Sequence, residues 1–376
     1  MVEFITMAPT SGDGQYVGVG NYNSQKIVGW TASAERIPTL EYIKRIAQAA
    51  EKGGFSTLLL PTGGNCLDPL VVASSLIHFT ERIKLLFAVR PGFTAPALFA
   101  RQYVTFDYWS GGRVRANFVT GGSPAEQASD GDFLDHDARY RRTKEFIQVF
   151  KRLLLEDGFD HEGEFYRLKN ASLPLKQYHR PVPEIYFGGA SEVAKKVAAE
   201  EADVYMMWGE TPELTKERID EMKALAAQHN RRLSYSVSFQ VVLGETEEQA
   251  WANAEELISR ADPNTIQLKD EESRHSDSVG MKRLHRLMQS SRDRQFRIGP
   301  NLWAGLTQVL SGNSIALVGT PDQVADRIVE YVQLGFDKVL LRGFPHLEVI
   351  EAVGREVIPR VRERLRQQQR QEKVAQ

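Results

Sequence analysis

Residues 37–66 read IPTLEYIKRIAQAAEKGGFSTLLLPTGGNC, and one change of period falls inside them. Leu40, Ile43, Ile46, Ala47 and Ala50 recur at helical spacing, so they share one face of a helix, and Gly53-Gly54 supplies its stop. The apolar run Ser56–Leu60 reads as a strand, and the polar, glycine-rich PTGGNC follows its end. Repeated along a chain, units of helix, strand and polar loop build a parallel sheet.

Working outward from this unit, eight stretches read as strands: Glu3–Met7, Thr57–Leu60, Lys84–Val89, Arg115–Val119, Glu184–Phe187, Asp203–Met207, Tyr235–Leu243 and Lys338–Leu341. Helical segments run from Pro96, Asp137, Ser191, Pro212, Glu245 and Pro321. The fold class is therefore α/β, and eight strands with intervening helices fit a (β/α)8 barrel, the TIM barrel, better than a doubly wound sheet. Residues 18–36, 157–183 and 261–316 break the rhythm and read as insertions. The last contains KDEESRHSDSVGMKRLHRLMQSSRDRQFR (269–297), charged and with little strand character; it suits a lid or a plain surface excursion. Residues 1–360 form a single barrel domain in this reading, and 361–376 a charged C-terminal tail, a solvated helix end that frays.

Composition bounds the partners. With 42% apolar and 9% aromatic residues the 376-residue chain can bury a sizeable core, and a net charge of −2 gives no global reason to expect nucleic acid or an anionic membrane. A single cysteine makes no intrachain disulfide, and no cluster of cysteines or histidines offers a zinc framework, so no metal is expected. The N-terminal MVEFITMAPT lacks the pattern of a secretory signal and no run of eighteen apolar residues occurs, which makes the cytoplasm the expected compartment.

In a barrel of this kind the active site is built at the carboxyl ends of the strands. There the chain has APTSGDGQYVG, PTGGNC, TGGSPAEQASDGD and GGASEVA after strands one, two, four and five. Turn-forming glycine explains any one of these; four together favour a shared ligand site. Gly188-Gly189 permits a close turn, and Ala190-Ser191 opens a helix whose free amides suit a phosphate, although Ser191 also reads as a simple N-cap. No GxGxxG or GxxxxGK[ST] fingerprint is present. His136 and Tyr140 share one helix face, with Asp137 as a cap; His136 reads as a packed residue or a catalyst, and Trp208 as core or pocket wall. Cys66, just past the second strand, reads as nucleophile, metal ligand, pocket residue or inert thiol.

Taken together, PTSGDGQYVG, LLLPTGGNCLDPLVVAS, ARQYVTFDYWSGGRVRANFVTGGSPAEQASDGDFLDHDARY, IYFGGASEVA, VYMMWGETPEL, PNLWAGL, ALVGTPDQVADRI and GFPHLEV resemble, in order and from about residue 3 to 360, the two-component alkanesulfonate monooxygenases of the bacterial luciferase-like superfamily. The resemblance implies an enzyme that takes reduced FMN (FMNH2) from a separate NAD(P)H-dependent flavin reductase, uses O2 as cosubstrate and cleaves a carbon–sulfur bond to give sulfite and an aldehyde. It implies that Gly188, Gly189, Ala190 and Ser191 hold the FMN phosphate, that Asn117, Thr120, His136 and Tyr140 line the flavin with Trp208 as a wall, and that Cys66 shapes the pocket. It also implies a homodimer or homotetramer.

The departures from that family concern the substrate. The family has histidine where this chain has Ser11, arginine at Ser238, histidine at Gln240 and tyrosine at Phe344, so four polar or ionisable groups are replaced. Ser238 and Gln240 share a strand face. In exchange Arg342 stands where the family has a small residue, on the same face as Phe344, so it is expected to supply an inward cation, or else to sit at the rim. Ser11, Trp208, Ser238, Gln240, Phe344 and His346 are the expected substrate contacts, and Arg297, Arg342, Gln240 and Cys66 the expected catalytic set. Arg297 is taken, with Arg292 and Arg294, from the proposed lid. Two other readings stay open: a luciferase-like oxidoreductase using FMN or coenzyme F420 on a non-sulfur substrate, and a flavin-binding protein without turnover.

Overall fold

A computed structural model describes residues 2–19, 36–176 and 182–375. Its centre is a ring of eight parallel strands: β1 (Glu3–Met7), β2 (Thr57–Leu60), β3 (Lys84–Val89), β4 (Val114–Phe118), β5 (Ile185–Gly188), β6 (Val204–Trp208), β7 (Ser234–Leu243) and β8 (Lys338–Arg342). Each pairs with the next, and β8 returns to β1 through Glu3 opposite Lys338, which closes the barrel. All eight expected strands are present, with ends displaced by one residue in β4 to β8.

The period-2 alternation of strands sorts the apolar side chains into two layers. Ile5, Leu59, Leu86, Tyr186, Val204 and Leu340 point inward and fill the lower barrel as one cluster. Phe4, Leu58, Leu60, Leu85 and Phe87 point outward into the larger core beneath the helices. The helix Leu40–Lys52 contributes Ile43, Ile46, Ala47 and Ala50 to that core; Thr39 caps it by accepting from the Tyr42 amide and Gly53 ends it.

Four details depart from the sequence reading. A strand Ala316–Gly319 pairs in parallel with Gln240–Leu243 of β7. Because β8 occupies the other edge of β7 at Gln240, this strand continues the ladder where β6 stops at Trp208. The 157–183 excursion contains a hairpin of Phe159–Glu162 with Arg167–Ala171. Residues 261–316 fold into the helices Pro263–His275 and Val279–Ser290 and a small hairpin of Arg297–Gly299 with Leu302–Trp303, so the segment has strand content that its charge conceals. The tail does not begin at 361. Helix Ile358–Ala375 buries Val361, and Arg362 donates to the Gly54 carbonyl at 2.9 Å, which packs this helix against the amino end of β2. Of the 18–36 insertion, residues 20–35 lie outside the described residues. Among the described residues no helix is long and apolar enough to cross a membrane.

Candidate functional site

Above the inward cluster, at the carboxyl ends of the strands, lies a cavity of about 570 Å³. Met7, Leu59, Met206 and Leu340 form apolar wall, and the loops after β1, β2, β4, β5 and β6 supply the polar wall. The roof is the excursion before the last unit: Lys269, Asp277, Ser278, Val279, Gly280 and Leu284 face the cavity, joined by Leu310–Asn313.

The roof is held by specific contacts. Glu210, buried just after β6, accepts both Nε and Nη2 of Arg283 at 2.7 Å, so the helix Val279–Ser290 is clamped bidentately to the barrel. Arg139, itself buried, reaches Asp277 at 3.3 Å, and Ser276 donates to the Gly122 carbonyl at 3.1 Å. Trp208 fits between roof and barrel because two of its neighbours lack side chains. A Cβ on Gly280 would come within 2.9 Å of the indole, and one on Gly312 within 3.1 Å.

On the opposite side, β5 runs into Gly188-Gly189 and then the ten-residue helix Glu192–Glu201. Gly189 has φ of +143°, and a Cβ there would lie 2.7 Å from the Ala194 Cβ and 3.1 Å from the Tyr140 hydroxyl, so the turn is open only to glycine. Ser191 is the N-cap and takes the Ala194 amide, leaving the first-turn amides of Glu192 and Val193 without intrahelical partners. Burial pushes the Tyr140 phenol up to about 12, against a lowering interaction with Ser191, so it stays neutral near pH 7. Its ring lies 4.9 Å from that of His136. The cap of their helix is Asp135 rather than Asp137: Asp135 accepts the Ala138 amide at 2.7 Å, while Asp137 Oδ1 accepts from the His136 ring Nδ1 at 2.7 Å. A glycine cradle, free helix amides and a cavity of this size fit a phosphate-bearing flavin.

Ser11, Cys66, Asn117, Thr120, His136, Tyr140, Gly188, Gly189, Ala190, Ser191, Trp208, Ser238, Arg342, Phe344 and His346 all line this one cavity. Arg342 therefore stands on the inward face; Nη1 meets the Met7 sulfur and Nη2 the Asn313 carbonyl, both at 3.3 Å. Burial pushes the Cys66 thiol up, which leaves it protonated and a poor nucleophile. Two expected residues are elsewhere. Gln240 is fully buried behind the wall, where Nε2 donates to the Asn313 carbonyl at 2.8 Å, so it positions a wall residue instead of meeting a ligand. Arg297 stacks its guanidinium 4.0 Å over the Trp251 ring, away from the cavity, and Arg292 and Arg294 lie in an exposed turn. The roof cation that faces the cavity is Lys269, bonded to Glu272 at 2.6 Å and Ser311 at 3.0 Å.

The sequence profile described as luciferase-like monooxygenase matches residues 13–338. The chain belongs to the luciferase-like monooxygenase family. Solved luciferase-like structures share the fold at low identity. EDTA monooxygenase (EmoA) from Chelativorans sp. BNC1 is 20% identical, with 96% of this chain and 94% of that one covered and a TM-score of 0.78. DmoA from Hyphomicrobium sulfonivorans is 19% identical over 97% and 88%, with a TM-score of 0.72. The oxygenating constituent of 3,6-diketocamphane monooxygenase from the CAM plasmid of Pseudomonas putida, solved in complex with FMN, is 15% identical over 96% and 99%, with a TM-score of 0.67.

Within this luciferase-like barrel, sequence reasoning missed Asp13, Glu210, Arg283, Asp277 and Lys269. Asp13 and Glu210 carried a usable signal, since each is an acid in a loop directly after a barrel strand. Arg283 and Asp277 carried none, because their partners Glu210 and Arg139 are more than seventy positions distant in the chain, and Lys269 paired with Glu272 reads as an ordinary charge pair of a solvated helix.

Proposed function

We propose that the protein is an FMNH2-dependent monooxygenase that desulfonates an alkanesulfonate-type compound to an aldehyde and sulfite. The observation that carries this reading is the placement of the glycine-and-amide cradle at Gly188–Ser191 and the Arg342 guanidinium on one roofed cavity. An anionic phosphate suits the first and an anionic substrate group the second. Reduced FMN, when bound, supplies the two electrons with which O2 is activated. Asn117, Thr120 and Tyr140 would lie along the flavin, with Trp208 as a wall. Ser11, Ser238, Phe344 and His346 would surround the substrate, Arg342 would orient its sulfonate, and Cys66 would shape the pocket between the two. The roof helices, clamped through Glu210 and Arg283, would exclude water.

This reading includes a separate NAD(P)H-dependent flavin reductase as partner, a cytoplasmic setting in which such a reductase works, and a homo-oligomer. The test is sulfite release from a panel of sulfonates and sulfones, with reduced FMN supplied by an added flavin reductase under air. Sulfite in step with oxygen consumption supports it. Oxygen-dependent turnover of only non-sulfur compounds, or none of any compound, sinks it.

A further inference from the structure

We infer that His346 is the proton acceptor of this cavity and that Asp13, after β1, holds it in the tautomer the task requires. Asp13 is fully buried and its carboxylate is saturated with donors. Oδ1 takes the Gly14 amide and His346 Nδ1, each at 2.9 Å; Oδ2 takes the His346 amide at 2.8 Å and the Tyr42 hydroxyl. Burial alone would raise the Asp13 carboxyl, but His346 and Tyr42 hold it below its ordinary value, so it is ionised near neutral pH. An ionised carboxylate only accepts, so Nδ1 must carry the ring proton.

That leaves His346 Nε2. The side chain is 2% exposed, the ring borders the cavity, and Nε2 has no hydrogen-bond partner. In the neutral ring this atom is a lone pair, buried at the edge of the cavity that the ring lines, and a buried polar atom without a partner is costly unless a ligand completes it. The Phe344 ring packs at 4.9 Å and 85° and fixes the imidazole plane. An acid fixing Nδ1 of a histidine that borders a ligand cavity, with Nε2 left unpartnered, is the arrangement of a general base.

The inference rests on the proposed function, because that reaction needs such a group. RCH2SO3⁻ + O2 + FMNH2 → RCHO + SO3²⁻ + FMN + H2O + H⁺ balances only with one proton released. Nε2 would take a proton from the carbon bearing the sulfonate, forming its N–H bond as that C–H bond breaks. The C–H pair forms the C–O bond to an oxygen derived from O2, whose other oxygen leaves as water, sulfite departs with the C–S pair, and the imidazolium would be neutralised by Asp13. The other ionisable groups near the dyad do not compete as bases. Burial and then Asp13 push Tyr42 up, burial pushes Cys66 up, and Arg36 at 2.6 Å holds Glu348 below its usual value. Arg36 and Arg342 stay protonated.

Two measurements test this. The first is long-range proton–nitrogen NMR of the imidazoles in the protein without substrate, with His346→Gln assigning the signal. A neutral His346 protonated on Nδ1 is expected; protonation on Nε2 overturns the inference whatever the substrate. The second is the pH profile of kcat/KM for sulfite release. His346→Gln should lower kcat/KM roughly a hundredfold or more and remove the decline at acid pH, with reduced-FMN affinity unchanged. Asp13→Asn should also move that decline, which a merely structural role would leave in place. A His346→Gln enzyme within about threefold of the parent, with the acid decline intact, overturns the inference. If no sulfonate yields sulfite while Nδ1 carries the proton, the proposed function fails and the dyad stands.

Discussion

Replacing Arg342 with methionine removes the cation that the cavity gains on β8 while keeping most of the side chain's apolar stem. In the protein without substrate Nη1 meets the Met7 sulfur and Nη2 the Asn313 carbonyl, both at 3.3 Å, and neutral-acceptor bonds of that length are worth about 1 kcal/mol or less each. With an anionic substrate the same guanidinium would form a desolvated pair beneath the roof, and truncating one side of such a pair costs about 2–5 kcal/mol. That corresponds to a fall in kcat/KM of roughly thirtyfold to several thousandfold, against less than about fivefold for a solvated rim residue. Ser238 sits across from Leu340, two residues before Arg342 on the same inward face, so Ser238→Arg can return a cation to nearly the same space. The assay is kcat/KM on the best sulfonate for Arg342→Met and for Arg342→Met/Ser238→Arg, with melting curves to verify folding. The single variant should fall by at least thirtyfold and the double variant should recover roughly tenfold or more. A folded Arg342→Met that matches the parent refutes the role assigned to this cation.

Three further outcomes follow from the same geometry. Arg283→Leu opens the clamp on Glu210 and leaves it, among the described residues, with Arg218 at 3.6 Å, so residues 279–290 should exchange amide hydrogens faster and KM should rise at the low end of about 2–5 kcal/mol; unchanged exchange in that helix counts against the clamp. Cys66→Ser should hold kcat/KM within roughly tenfold, about 1.4 kcal/mol, because burial already keeps the thiol protonated; abolished turnover with flavin binding intact shows instead that the sulfur is essential. Gly189→Val places a branched side chain at φ +143° and against Ala194 and Tyr140, and should weaken reduced FMN by about 1–3 kcal/mol in anaerobic fluorescence titrations; an unchanged affinity would place the phosphate elsewhere.

Most of the barrel is legible in the chain because its cause is local. Ile43, Ile46, Ala47 and Ala50 mark a helical face without reference to any distant residue, and Thr57–Leu60 marks a strand in the same way. The strand Ala316–Gly319 is not legible. Its four residues, all buried, become a strand through pairing with Gln240–Leu243, some seventy positions away. The 261–316 excursion shows the same limit: charge reads as solvation, whereas Asp277, Arg283 and Lys269 spend theirs on contacts with Arg139, Glu210, Glu272 and Ser311.

The sequence by itself determined the eight strands and the glycine-rich loops that carry the site, since period and turn chemistry act between near neighbours, and it left Arg342 between the cavity and the rim. Only the tertiary structure decided that Arg297 lies over Trp251, that Gln240 stands behind Asn313, and that Asp13 meets His346. Asp13 and His346 are 333 positions apart, and they touch because β8 closes on β1. Barrel closure is a property of the whole ring, so no local stretch can encode which loops it brings together.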